Sequence, residues 1–210
     1  MELTKSIKNY LEELSSASPT PGGGNVSAFS GSIACSLGIM VCNLTIGKKK
    51  YAEAEEEMKV IKSKLESLND CFIELAAKDN YAFDKVMEAI KLPKETDEQK
   101  KLRAEKIEEA TFAAAVVPSE VIDTCRQALP YLQKIAEKGN QNSVSDSGVA
   151  LSLLAAASEG AYMNVLINCS SLTNKALGNE FIKKSEIICE EIKSGTAKSV
   201  SKIKSALLNF

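Results

Sequence analysis

The chain has 210 residues and a formal net charge of −2, enough for one domain with a sizeable core and too near neutral to recruit nucleic acid or an acidic membrane surface by its field. It contains neither histidine nor tryptophan, which excludes the usual general base, the usual metal ligand and every Ser-His or Cys-His pair. Acid–base chemistry falls to Asp, Glu, Lys, Tyr or Cys.

Six cysteines, Cys35, Cys42, Cys71, Cys125, Cys169 and Cys189, are widely spaced with no C-x-x-C. They read as reduced, mostly buried thiols, with no disulfide frame and no metal site expected. No membrane-spanning run and no signal-peptide pattern is read, so the expectation is a cytoplasmic protein without a membrane partner.

Ile7, Tyr10, Leu11 and Leu14 fall at i, i+3, i+4, i+7 and predict an amphipathic helix over 4–16. The stretch Pro19-Thr20-Pro21-Gly22-Gly23-Gly24 then predicts a tight turn, the glycines supplying backbone freedom or close approach. A glycine turn that feeds a helix start also aims free N–H groups at one spot, which suits an anion or a polar ring edge. It is not a dinucleotide fingerprint, because no strand precedes it and the spacing is wrong.

A small, apolar helix is expected from Asn25 to about Ile46, central in the fold, and Gly47-Lys48-Lys49-Lys50 ends it with cations at the negative end of the dipole. From Tyr51 to about Lys91, the residues Tyr51, Ala54, Met58, Ile61, Leu65, Leu68, Phe72 and Leu75 alternate at spacings of three and four, and Ala82 and Val86 continue the series. The seam predicts one long helix of about five heptads packed nearly antiparallel on another. One seam position is out of character: Asp79, between Leu75 and Ala82.

Leu92-Pro93 ends that helix, and Thr96-x-x-Gln99 is a capping-box signature for the next, expected to run to about Val117 with Leu102, Ala110, Ala113 and Val117 inward. Pro118-Ser119 is read as the start of a further helix to about Lys138, kinked at Pro130 and stopped by Gly139. Asn140 to Gly148 reads as a second unusual loop, rich in amides and hydroxyls. Helices follow over Val149–Ser171 and Asn179–Leu208. No segment alternates at period two, so the fold is expected to be all-α, a bundle of long and short antiparallel helices in a single domain spanning 1–210.

Asp79 is the strongest candidate for chemistry. A carboxylate on a heptad seam is costly unless paired or neutralised. Two readings are open: a cation from a neighbouring helix that fixes register, or a group whose burial raises its pKa until it can both take and give a proton near neutrality. Asp146 has two readings as well, a helix cap among Ser145 and Ser147 or a second catalytic carboxylate. Asn164 and Asn168 lie at i, i+4 on one face of an apolar helix. Such amides either bond a neighbouring helix or read the edge of a heterocycle. Lys48–Lys50 read as a solvated helix end or a holder of an anionic tail.

Several stretches together resemble the formiminotetrahydrofolate cyclodeaminase / methenyltetrahydrofolate cyclohydrolase family. They are Pro19-Thr20-Pro21-Gly22-Gly23-Gly24, Met40 through Tyr51, Asp79-x-x-Ala82-Phe83, Leu92-Pro93-Lys94, Val117-Pro118, Gly139-Asn140-x-Asn142-x-x-Ser145-Asp146-x-Gly148 and Asn164-Val165-x-Ile167-Asn168, in family order over nearly the whole chain. The resemblance implies a dimerising all-helical bundle in a stand-alone form, without a formiminotransferase domain. Asp79 matches the aspartate to which the cyclodeaminase role is assigned in bifunctional members. Asn25 departs from the pattern, many members carrying serine or alanine there.

The strings around Cys42–Tyr51 and Leu92–Thr96 look closest to stand-alone cyclohydrolases. The implied reaction is hydrolysis of 5,10-methenyltetrahydrofolate to 10-formyltetrahydrofolate. Asp79 and Asp146 are the catalytic candidates, and Pro21, Gly22, Gly23, Gly24, Lys48, Lys49, Asn140, Asn142, Ser145, Asn164 and Asn168 the substrate-binding ones. No cofactor is implied beyond the folate, and a homodimer is expected. The alternatives are a cyclodeaminase that releases ammonia and a non-enzymatic helical oligomerisation protein. The glycine turn, Asp79 and the Asn140–Asp146 loop are expected to converge on one pocket, with residues from one subunit or both.

Overall fold

The computed structural model describes residues 6–208. Its elements are α1 (Ile7–Leu14), α2 (Gly23–Thr45), a 3-10 turn at Lys49–Ala54, α3 (Glu55–Ile90), α4 (Asp97–Lys138), a 3-10 turn at Gln141–Ser143, α5 (Val144–Ser171) and α6 (Lys175–Leu208). No strand occurs among the described residues. The expected helix over 4–16 is shorter, and its first two positions lie outside the described residues.

α2 is the central element. Its glycines let neighbours come close: a Cβ on Gly31 would strike the Phe72 ring on α3, and one on Gly38 would lie 2.6 Å from a Leu132 methyl on α4 and 2.7 Å from one of Leu65 on α3. Contacts at Asn25–Ala76, Gly31–Phe72 and Ser32–Asn69 descend along α3 as they ascend α2, so the two helices are antiparallel. α5 lies antiparallel to α2 on another side, with Gly23 against Asn164 at one end and Thr45 against Asn140 at the other. α6 is antiparallel to α5, and Phe112–Phe181 and Gln133–Ser199 set it parallel to α4. Phe72, Met58, Leu65, Leu132, Leu151, Leu154 and Ile192 fill the space between these helices.

The heptad seam is the buried face of α3: Met58, Ile61, Leu65, Phe72 and Leu75 are all buried. Its first turn is different, since Lys49–Ala54 winds as a 3-10 segment ahead of the α-helix. The capping box forms, with the Thr96 hydroxyl accepting from the Gln99 N–H and the Gln99 side chain accepting from the Thr96 N–H.

Three expectations fail here. α4 does not break at Pro118 but runs unbroken from Asp97 to Lys138 with Pro118 and Pro130 inside it. Leu102 and Ala113, expected inward, are exposed: Leu102 lies where α3 and α4 run past the start of α2, and Ala113 lines an open groove between α3 and α4 while its neighbours Phe112 and Ala114 meet α6 and α5. Ser145–Gly148 is not loop but the first turns of α5. A fourth correction concerns membranes. α2 and the Gln141–Ser171 stretch are each long and apolar enough by composition to cross a bilayer; in the fold they pack against one another, each leaving one face exposed.

Candidate functional site

Asp79 sits where α3 passes the start of α2. Thr20–Pro21 is a cis peptide, Pro21 is buried, and Gly22 caps α2 with extended backbone. None of Gly22, Gly23 and Gly24 has positive φ; among the described residues only Gly47 does. Turn conformation is therefore not what these glycines supply, and at Gly24 the need is close approach. A Cβ on Gly24 would lie 2.6 Å from Asp79 Cγ and 2.8 Å from Oδ2, so the carboxylate occupies the space a side chain would take.

The Asn25 backbone N–H faces that carboxylate and favours its charged form. The carboxyl is thus in the electropositive field of a helix N-terminus, which favours its anion. Burial acts against this and is the larger effect: it pushes the Asp79 carboxyl above the usual carboxylate range, with the Asn25 N–H pulling it partly back. The side chain is half-buried, so it is desolvated yet reachable. No salt bridge to Asp79 occurs among the described residues, and the register-fixing cation that one reading required is missing there.

Asn164 borders the same spot. Its Nδ2 lies 3.4 Å from where a Gly23 Cβ would be and donates to the Gly160 carbonyl at 2.8 Å. Gly160 is itself needed, because a Cβ there would collide with Ser27 Oγ. Asn168, one turn further along α5, donates to the Ala114 carbonyl of α4 at 3.0 Å. Pro21, Gly22, Gly23, Gly24, Asp79 and Asn164 are therefore gathered at one end of the bundle.

The remaining candidates are at the other end. Asn140 Nδ2 donates to the Leu44 carbonyl, its backbone N–H to Thr45 Oγ1, and its Oδ1 accepts from the Tyr51 hydroxyl and the Asn142 N–H. These bonds latch the turn after α4 onto the C-terminal end of α2. Asn142, Ser145, Lys48 and Lys49 are exposed nearby, and half-buried Asp146 lies in the first turn of α5. Twenty residues of helix separate Asn25 from Thr45, about 30 Å at 1.5 Å per residue. Convergence of both groups on one pocket within a single chain is thereby overturned.

Two residues that sequence reasoning passed over belong with Asp79: Tyr10 and Asn25. Tyr10 Oη donates to Asn25 Oδ1 at 2.8 Å, and Asn25 Nδ2 donates to the Ala76 carbonyl at 2.6 Å. The available signal was an amide among small residues at the start of a core helix, where a buried polar group demands partners.

Fold and site together define an all-α bundle protein with a desolvated carboxylate docked on a glycine-built helix N-terminus. The family model described as formiminotransferase-cyclodeaminase matches residues 6–186, and the chain belongs to that family. It is 43% identical over 187 residues, 89% of this chain and 90% of the relative, to a methenyltetrahydrofolate cyclohydrolase of Methylorubrum extorquens. It is 31% identical over 195 residues to the formimidoyltransferase-cyclodeaminase of Mus musculus, of which it spans 36%. The crystal structure of a formiminotetrahydrofolate cyclodeaminase from Thermotoga maritima has a TM-score of 0.81 and 32% identity, covering 95% of this chain and 98% of that one.

Proposed function

We propose that this chain is a methenyltetrahydrofolate cyclohydrolase, with Asp79 as the group that moves protons. The carrying observation is the Asp79 carboxyl itself, seated on Gly24 at the N-terminus of α2 and raised in pKa by burial. The methenyl bridge of the substrate is a delocalised cation and already electrophilic. Asp79 takes a proton from water as its oxygen bonds to the bridging carbon. The bond from that carbon to N5 then breaks, N5 receives a proton from Asp79, and the adduct's hydroxyl proton leaves to solvent as the formyl carbonyl forms. Because the bridge carries its own charge, the step asks for no metal and no cofactor beyond the folate. A carboxyl with a raised pKa suits both halves of this exchange.

The 43% identity to a protein of that name, over nine-tenths of both chains, supports this direction. A second reading, cyclodeaminase, has its support in the Thermotoga maritima structure. In that reaction 5-formiminotetrahydrofolate closes to the same methenyl compound and ammonia leaves. Both substrates are tested together by following methenyl absorbance. Its loss from 5,10-methenyltetrahydrofolate supports the hydrolase, its rise from 5-formiminotetrahydrofolate supports the deaminase, and no change with either sinks both.

The assembly proposed is a homodimer that completes the site. α2 exposes Ile33, Met40 and Leu44, and α5 exposes Val149, Met163 and Ile167, at spacings of three, four and their sums. These stripes explain why both helices are more apolar than their burial in one chain requires. A two-fold that packs the stripes antiparallel brings the Asp79 end of one copy to the Asp146 end of the other. The Lys48, Lys49, Asn140, Asn142, Ser145 and Asp146 group then returns to the site across the interface, the cations toward the folate's glutamate tail and the amides toward its pterin.

A further inference from the structure

Asn25 has 0% exposure, and both polar atoms of its side chain are engaged, Oδ1 by the Tyr10 hydroxyl and Nδ2 by the Ala76 carbonyl. The Asp79 carboxylate packs against the backbone immediately before Asn25, its Cγ 2.6 Å from where a Gly24 Cβ would be, so that the Asn25 N–H faces the carboxylate. One residue thus ties α1, α2 and α3 together at the reacting end of the bundle. Ala76 is one helical turn before Asp79, so the amide clamps the turn of α3 that carries the carboxylate while the backbone N–H faces the carboxylate itself.

Tyr10 is the one buried residue of α1, and its ring lies 5.2 Å from that of Phe29. The apolar residues Ile7 and Leu11 of the same helix face solvent at 71% and 54% exposure. Packing alone would be served by phenylalanine. The hydroxyl goes further and supplies the donor that a buried amide oxygen needs.

We propose that Tyr10 and Asn25 are positioning residues for Asp79: the Tyr10 hydroxyl fixes the Asn25 amide, and the amide fixes the start of α2 so that its N–H meets the carboxylate in the orientation proton transfer requires. This rests on the reading of Asp79 as the proton-moving group. Neither residue touches the folate; each acts through the carboxylate. Without the hydroxyl, the amide oxygen is buried without a donor and the amide is held by the Ala76 carbonyl alone. The N–H next to it in the chain then loses its fixed distance to Asp79.

The test uses full-length wild type, Tyr10→Phe, Asn25→Ala, the double variant and Asp79→Asn. Each is assayed on 5,10-methenyltetrahydrofolate and 5-formiminotetrahydrofolate, and amide hydrogen exchange is measured at Asn25. Phenylalanine keeps the ring on Phe29, so Tyr10→Phe decides the matter alone if Asn25→Ala does not fold. The expected result for Tyr10→Phe is a kcat about tenfold lower with KM within about twofold of wild type, the mark of a lost transition-state interaction. Exchange at the Asn25 amide should rise. The double variant should be no slower than Asn25→Ala, because the hydroxyl acts only through the amide.

Wild-type kcat in Tyr10→Phe, a raised KM with unchanged kcat, or additive losses in the double variant would each overturn the proposal. A wild-type protein inactive on both folates would sink the reading of Asp79 and this proposal with it. An active wild type with an equally active Tyr10→Phe sinks this proposal alone.

Discussion

The side-chain amide of Asn168 donates to the Ala114 carbonyl at 3.0 Å, the carbonyl that Pro118, four residues on, leaves without a helical N–H. Proline inside a helix removes one i→i−4 bond; here α5 returns it. This is the physical reason α4 continues through Pro118. Removing the amide should therefore cost stability. Asn168→Ala is expected to lower it by about 1–3 kcal/mol, the scale of an unpaired buried acceptor. Asn168→Ala combined with Pro118→Ala should recover part of that, since the restored N–H can close the helical bond. Thermal unfolding of the two variants checks both statements.

Asp79→Asn should keep the fold and folate binding and lose turnover by about 10²–10⁴-fold, the scale of one acid–base group. The amide preserves size and can accept from the Asn25 N–H, but it cannot take a proton from water. Circular dichroism, folate binding and the methenyl assay separate these outcomes. Near-normal turnover would move the chemistry to Asp146 or another group.

The same substitution has a signature in stability. Burial holds the Asp79 carboxyl above its unfolded-chain value near 3.8. The folded state then binds the proton more tightly than the unfolded one, so stability falls as pH rises through the interval between the two values and stays lower above it. Asp79→Asn should melt higher than wild type at neutral pH, and the gap should close as pH drops below the unfolded value. Melting curves at stepped pH read this directly; a gap that widens in acid would contradict the burial argument.

Gly24→Ala should damage the site more than the bundle. Its Cβ would fall 2.6 Å from Asp79 Cγ, and overpacking of this kind costs about 1–3 kcal/mol. The side chain that must yield is the carboxylate, so turnover should fall well beyond what the melting temperature suggests. Gly47→Ala provides the contrast: Gly47 has φ of 75° and open space around it, so the variant should lose stability through the backbone alone and leave kcat unchanged.

Assembly is tested by a charge on the exposed stripe. Met163→Glu sits on a side chain 59% exposed in one chain, so the single chain should fold normally. Sedimentation should report a monomer and the folate assay a large loss of rate. A folded, fully active monomer would show that the Asp79 end works without a second copy.

Much of this was legible in the residues. The period of the Met58–Leu75 seam placed Asp79 on a packed face, and Thr96 with Gln99 marked the start of α4 to the residue. Pro118 misled because its compensating donor, Asn168, is fifty residues away in sequence. The residues left two reasons open for the glycines, backbone freedom and close approach, and only the neighbouring Asp79 reveals that at Gly24 missing side-chain volume, and not φ, is what glycine supplies. Separation of the two polar groups was within reach: a helix from Asn25 to about Ile46 is about 30 Å long, so residues tied to its two ends cannot share one chain's pocket.

Both ends of α2 are pinned, Asn25 to Tyr10 and Ala76, and Thr45 to Asn140. A pinned helix tolerates substitution far better than a change of length. Deleting one residue between the pins turns one end about 100° against the other and draws it in by about 1.5 Å, so the two sets of bonds can no longer form together. Over evolutionary time the twenty steps from Asn25 to Thr45 should admit many side chains and no insertion or deletion, while Lys91–Thr96 between α3 and α4, bridged by the flexible Arg103 side chain on the Ile90 carbonyl, is where the chain is free to lengthen.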